Sequence, residues 1–255
     1  MWEEPCISGK EGSGAVFFSG CSLGCDYCQN RSISRGERVK EVTVEELAEI
    51  MIKLQEQNAN NINLVTAGHY APQTAAALSL AKKKGLRIPV VYNSSGYEKP
   101  ETLRLLQGLV DVYLPDFKYL SRELSQKYSH AEDYGDRAKE ALKEMIRQAG
   151  SPRFDERGMI RGGVIVRHLL LPGHVEESKR VVEYLYKTYG NQIYISIMNQ
   201  YTPMPAMAKD PLLSRRVTKR EYRRLVDYAV SLGVEQGFIQ EGDTAEESFI
   251  PEFYD

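Results

Sequence analysis

Short apolar runs alternate with amphipathic helical segments along this chain, and that alternation constrains the fold more than any other feature. The apolar runs are Ala15–Ser19, Ile62–Thr66, Ile88–Asn93, Asp111–Leu114, Gly163–Leu170 and Gln192–Met198, with Phe238–Gln240 as a short final candidate. Helical segments fall between them: Thr43–Gln57, Pro72–Lys84, a short one near Pro100–Leu106, Ser121–Ala149, Val175–Thr188 and Lys219–Leu232. In the first of these, Val44, Leu47, Ile50, Met51 and Leu54 have helical spacing, and Thr43 with Glu46 makes a capping-box signature. Pro72 suits a first helical turn. The polar stretch Ser121–Ala149 is expected to break near His130–Asp133. Strand–helix alternation with connections of this length predicts right-handed βαβ units and a mainly parallel sheet. Six or so such units close most of a barrel, with reactive residues at the C-terminal ends of the strands.

The residues just past those ends are polar or conformationally special. They are a cysteine loop, His69, Asn93–Gly96, Asp116–Lys118, Pro172–His174 and Asn199–Tyr201. We find no repeat, low-complexity stretch or linker, so residues 1–255 read as a single domain. Net charge is −2 with acids and bases interspersed, which argues against a broad nucleic-acid surface. No apolar run approaches the roughly 20 residues of a membrane span, and acids stand where a signal peptide carries bases. No membrane association is expected, and the expected compartment is the cytoplasm.

Three of the four cysteines fall within eight residues, as Cys21-Ser-Leu-Gly-Cys25-Asp-Tyr-Cys28. In a large chain without a secretion signal, such clustering points to metal or redox chemistry. Three thiolates can hold three irons of a cubane [4Fe–4S] cluster and leave the fourth iron open to another molecule. Two alternatives stand beside this. A zinc site completed by Cys6 or His69 is one, although structural zinc usually takes two ligand hooks and this chain has a single triple hook. A dithiol switch at Cys25 and Cys28 is the other, and it leaves Cys21 without a task. Cys6 reads as a plain thiol.

The C-x3-C-x2-C spacing, with Tyr27 just before the third cysteine and an apolar strand before the first, resembles the radical S-adenosylmethionine (SAM) superfamily. Within it the chain resembles the glycyl-radical-enzyme activating enzymes, especially pyruvate formate-lyase activating enzyme, and an uncharacterised branch of their relatives. Glu4–Asn30, Asn63–Tyr70, Tyr92–Tyr97, Asp116–Lys118, Val166–Gly173 and Phe238–Pro251 carry the resemblance. It implies an α/β fold, an incomplete (β/α)6 TIM-like barrel with cluster and SAM at its mouth. It implies Cys21, Cys25 and Cys28 as cluster ligands, with reductive cleavage of SAM to a 5′-deoxyadenosyl radical that takes hydrogen from a substrate. It also implies SAM contacts. Asn93 and Ser95 lie in the turn that matches a ribose-binding Asp-Thr-Asn-Gly turn, which reads equally as a plain glycine-terminated loop. Asp116 and Lys118 match an Asp-x-Lys pair set against SAM, the alternative being a surface ion pair. Arg167 matches an arginine before a Val-Pro-Gly turn. Flanked by Val166 and Leu169, it is expected to face the barrel interior, with His168 on the opposite face. Tyr27 and Gln200 complete the expected cofactor contacts.

Two departures bear on the substrate. The activating enzymes carry Gly-Gly-Glu after strand two, where this chain has Ala67-Gly68-His69. Thr66 or backbone carbonyls are therefore expected to take over that SAM contact, or else His69 faces the substrate, a structural role being the alternative for this lone histidine. The family's histidine after strand six is replaced by Asn199-Gln200-Tyr201, which makes Tyr201 a substrate candidate. Further cysteine clusters are not expected. The expected partners are a flavodoxin- or ferredoxin-type electron donor, with Arg31, Arg35 and Arg38 as contacts or an ordinary solvated face. The expected substrate is a glycyl radical enzyme, another peptide or a metabolite. A non-catalytic iron–sulfur or zinc module is the alternative from another class.

Overall fold

The structure is a computed structural model that describes residues 4–37 and 39–239. Seven strands run parallel in one sheet: β1 (Gly14–Phe17), β2 (Ile62–Val65), β3 (Val90–Ser94), β4 (Val112–Pro115), β6 (Ile160–Leu169), β7 (Tyr194–Met198) and β8 (Gly237–Ile239). The two-residue β5 (Arg153–Phe154) pairs antiparallel with the start of β6. Neighbour order along the main sheet follows chain order, as expected of a sheet wound in one direction by βαβ units. Among the described residues β1 and β8 do not pair, so the barrel is incomplete. The strand expected over Phe238–Gln240 is β8, and Gln240 lies outside the described residues, as does the rest of the resemblance through Pro251.

The outer layer holds α3 (Val44–Glu56), α4 (Ala71–Lys83), α5 (Pro100–Arg104), α6 (Arg122–Ser129), α7 (Tyr134–Ala149), α8 (Val175–Tyr189) and α9 (Lys219–Leu232). Thr43 caps α3 in a full capping box with Glu46, and Thr218 with Glu221 does the same for α9. Each box satisfies amide groups that the first turn would leave unpaired, worth about 1 kcal/mol. The expected break in the long polar helix lies between α6 and α7, at His130, which ends α6 in the left-handed region at φ 55°. Two short helices have no counterpart in the sequence pattern: α1 (Pro5–Ser8) and α2 (Arg31–Ser34). Four residues are too few to show a helical period. None of the described helices is long and apolar enough to cross a membrane.

Side chains alternate across each strand, and this divides the core in two. Ile62, Leu64, Tyr92, Tyr113, Val164, Val166, Ile195 and Ile197 belong to the larger cluster shared with the helices. Val91, Val112, Leu114 and Ile165 form a second cluster with Ile160, Cys6 and Ile7. The last two come from α1, which plugs the N-terminal end of the strands. Asn61 and Asn60, just before β2, hold it by donating to the carbonyls of Ile7 and Ser8 at 2.8 and 2.7 Å. The opposite end, where the polar turns gather, stays open.

Candidate active site

The cysteine loop leaves β1 and is clamped from two sides. Three consecutive residues at the α6 end grip it. The Tyr128 carbonyl accepts from the Asp26 amide at 3.0 Å, and the Ser129 hydroxyl donates to Cys25 Sγ at 3.0 Å. His130 Nε2 lies 3.2 Å from Asp26 Oδ1. On the other side, Gln29 donates to the Gln200 carbonyl at 3.0 Å, and the Tyr27 and Tyr201 rings lie 6.3 Å apart. Beneath the loop the Tyr27 and Tyr119 hydroxyls are 2.6 Å apart, and Tyr119 is 3.1 Å from Ser129. All four cysteines are free thiols. Cys25 is buried while Cys21 and Cys28 are partly exposed. Burial pushes the Cys25 thiol up, against the pull of the Lys118 charge and the Ser129 hydroxyl.

Strand register assembles the second half of the site. β4 and β6 pair Val112 with Gly163 and Tyr113 with Val164, and the same register resumes past β4 as a bridge between Asp116 and Arg167. Arg167 therefore reaches Asp116 Oδ1 through Nε at 3.1 Å and Nη2 at 3.0 Å. Its Nη2 also donates to Asn93 Oδ1 on β3 at 2.6 Å. Lys118 Nζ lies 2.6 Å from the other Asp116 oxygen. Burial works to raise the Asp116 carboxyl, but Lys118 and Arg167 outweigh it and hold it below the usual range. Burial likewise works to lower the Lys118 ammonium, and Asp116 outweighs it, so the lysine stays charged. Two cations thus share one carboxylate, leaving net positive charge able to receive an anion. His168 sits on the opposite face of β6, buried, with Nδ1 2.7 Å from the Phe117 carbonyl, so Nδ1 carries the proton. Burial pushes its basicity down, and the ring is neutral.

Both halves face one cavity of about 530 Å³. Cys25, Cys28, Tyr27, Asn93, Asp116, Lys118, Arg167, Gln200 and Tyr201 line it, with Gln29, Asn30, Ser8 and Ser13. Cys21 is on the same loop but off this wall. Three expected site residues also lie elsewhere. Thr66 takes a left-handed conformation at φ 63° and precedes the 3-10 turn Ala67–Tyr70. His69 is exposed, and its ring packs where a side chain on Gly20 would sit, 3.3 Å from that Cβ position. Ser95 offers its carbonyl to the Tyr134 hydroxyl at 2.8 Å and does not line the cavity. Tyr201 is on the wall, but its hydroxyl is committed to the Leu213 carbonyl at 2.7 Å.

Ser129, Tyr119 and Glu98 belong to the site's surroundings and carry no signal in the sequence pattern. Glu98 accepts from Ser94 Oγ at 3.1 Å and lies beside Gly68, where a Cβ would come 3.5 Å from its Oε1. Burial pushes its carboxyl up to about 7, aided by Asp116 and opposed by Ser94 and Lys118. Cys6 is buried in the plug at the far end of the strands, and no three His, Cys, Asp or Glu side chains among the described residues gather around a single-ion site.

The radical SAM superfamily model matches residues 15–185, from β1 through most of α8. The chain belongs to the radical SAM superfamily. An uncharacterised protein of Methanocaldococcus jannaschii, MJ0674, is 30% identical over 225 residues, covering 85% of this chain and 62% of that protein. The chain thus spans less than two thirds of that relative's length. Among solved structures, Streptococcus suis SuiB bound to its precursor peptide SuiA is similar at a TM-score of 0.61, with 13% identity over 89% of this chain and 48% of that one. Methylornithine synthase (PylB) is similar at 0.60, with 11% identity over 88% of this chain and 63% of that one. At these identities the likeness shows the fold, a partial TIM barrel, and nothing of the substrate.

Radical SAM proteins use a [4Fe–4S] cluster and SAM, and the residues present fit both. Three free thiols stand on one loop, close enough that Cys21 and Cys28 act electrostatically on Cys25. A cubane spreads its thiolates over three corners, whereas zinc gathers them at about 2.3 Å from one centre. The surplus charge of Lys118 and Arg167 suits the carboxylate of SAM in the same cavity.

Proposed function

We propose that this radical SAM protein is an enzyme that cleaves SAM reductively and removes hydrogen from a substrate, in the cytoplasm, with Cys21, Cys25 and Cys28 holding the cluster. One observation carries the reading: two of the three loop thiols and the Asn93–Arg167–Asp116–Lys118 cluster open into one cavity. When bound, the reduced cluster supplies the electron that splits SAM into methionine and a 5′-deoxyadenosyl radical. The chain's own residues position and shield. Lys118 and Arg167 receive the SAM carboxylate, and Asp116 fixes the two cations relative to each other. Asn93, held by Arg167, offers its side-chain amide to a ribose hydroxyl. Tyr27, Gln200 and Tyr201 form the wall and help exclude water from a reactive intermediate. Thr66, Ser95 and His69 do not line this cavity and are assigned no role in this reading.

The substrate we favour is a backbone glycine of a glycyl radical enzyme, on the resemblance carried by the cysteine loop and Asp116–Lys118. A flavodoxin- or ferredoxin-type protein supplies the electron. Arg31 and Arg35 follow the loop directly and suit an acidic donor, while Arg38 lies outside the described residues.

Anaerobic reconstitution with iron and sulfide, followed by dithionite and SAM, tests the reading. It expects 5′-deoxyadenosine well above the level given by a C21A/C25A/C28A control. Equal amounts from both would sink it. Adding a glycyl radical enzyme to the same mixture should produce a glycine-centred radical by electron paramagnetic resonance, and a silent spectrum would remove that substrate.

A further inference from the structure

We infer that Ser129 tunes the reduction potential of the cluster, by donating its hydroxyl proton to the Cys25 thiolate; the inference rests on the radical SAM reading above. The Ser129 side chain is fully buried, and its oxygen lies 3.0 Å from Cys25 Sγ and 3.1 Å from the Tyr119 hydroxyl. A thiolate bound to iron has no proton and only accepts. A charged thiolate outcompetes a neutral hydroxyl as acceptor, so the single Ser129 proton goes to sulfur. Tyr119 spends its own proton on the Tyr27 hydroxyl at 2.6 Å and so offers Ser129 only a competing neutral acceptor.

The backbone fixes the placement. Tyr128 and His130, on either side of Ser129, both bind Asp26, the residue after Cys25. The left-handed turn at His130 ends the helix at that point, so Ser129 is presented to the loop by a rigid element. Hydrogen bonds to cluster sulfurs are one of the levers that set iron–sulfur potentials. Donation to a ligand sulfur favours the more electron-rich reduced cluster, so the potential with Ser129 lies above the potential without it. Ser129 is in this sense a positioning residue that acts through Cys25.

The test is a redox titration of the reconstituted holoprotein, following the reduced-cluster signal by electron paramagnetic resonance, in wild type, Ser129→Ala and Tyr119→Phe. Ser129→Ala should hold a four-iron cluster whose reduced-to-oxidised ratio at fixed potential falls about tenfold, a shift of ~59 mV for one electron. Tyr119→Phe keeps the serine donor and removes the competing acceptor, so its midpoint should hold or rise. A Ser129→Ala midpoint equal to wild type overturns the inference. If that variant holds no cluster, a lowered midpoint in Tyr119→Phe overturns it instead. Wild-type protein that takes up no four-iron cluster is a different failure, since it removes the radical SAM reading itself.

Discussion

Glu98 shows how a single partly buried acid can make the fold sensitive to pH. Its carboxyl is pushed up to about 7, chiefly by burial, with Asp116 adding to the effect. In the unfolded chain the same group ionises near 4.3. Below that value it is protonated in both states and costs nothing. Between about 4.3 and about 7 the unfolded state releases the proton first, so stability falls as pH rises, and the loss is complete above about 7. Glu98→Gln removes this dependence while keeping an acceptor for Ser94. We expect the variant to equal wild type near pH 4 and to exceed it by about 1–2 kcal/mol at pH 8. Urea denaturation of both proteins across that range checks the difference, and parallel curves would count against it. The acid was not legible in the sequence as part of the site. Its proximity to Gly68, Asp116 and Lys118 comes from the packing of turns after three different strands. Ser129 escaped for the same reason, lying more than a hundred residues from the cysteine that it touches.

At the scale of elements, the turns after β3 and β4 cross so closely that one glycine decides the arrangement. Gly96 has φ 75°, and a Cβ there would sit 2.2 Å from the Asp116 carbonyl oxygen. Gly96→Ala meets both a strained backbone and a clash with main chain that cannot swing aside. It should cost about 3 kcal/mol or more and shift the charged cluster with it. Thermal unfolding would report the first effect, and weaker SAM binding by calorimetry the second. Elements with a strong local period were the legible ones. The sequence placed the helix over Lys219–Leu232 at its observed bounds, and the break in the polar helix fell where His130 turns left-handed. The four-residue α1 and the two-residue β5 had no period to read. The left-handed Thr66 that opens the Ala67–Tyr70 turn had no signal in the sequence either, since a β-branched residue rarely takes that conformation.

Across the whole molecule, the parallel sheet has two chemically different ends, and the cysteines sample both. Cys6 lies in the plug, where burial and then the Glu4 charge push its thiol up to about 12. Cys21 and Cys28 are partly exposed at the open end, with Cys25 buried beneath them. In cluster-free native protein, alkylation at pH 8 should label Cys21 and Cys28 quickly, Cys25 slowly, and Cys6 only after unfolding. Peptide mass spectrometry over time reads the order, and early labelling of Cys6 would mean that the plug is not formed. Fold class was legible at this scale because seven apolar runs interleaved with helices admit few topologies.

The agreement between strand order in space and strand order along the chain has a consequence for how the protein is made. Each strand leaving the ribosome finds the edge it must join already synthesised, and no strand waits for a partner made much later. Each pairing joins strands that follow one another in the sheet, so the sheet can be extended in the order in which it is synthesised. The nascent chain grows by accretion at one moving edge, and the cysteine loop, beside the first strand laid down, is present from the start.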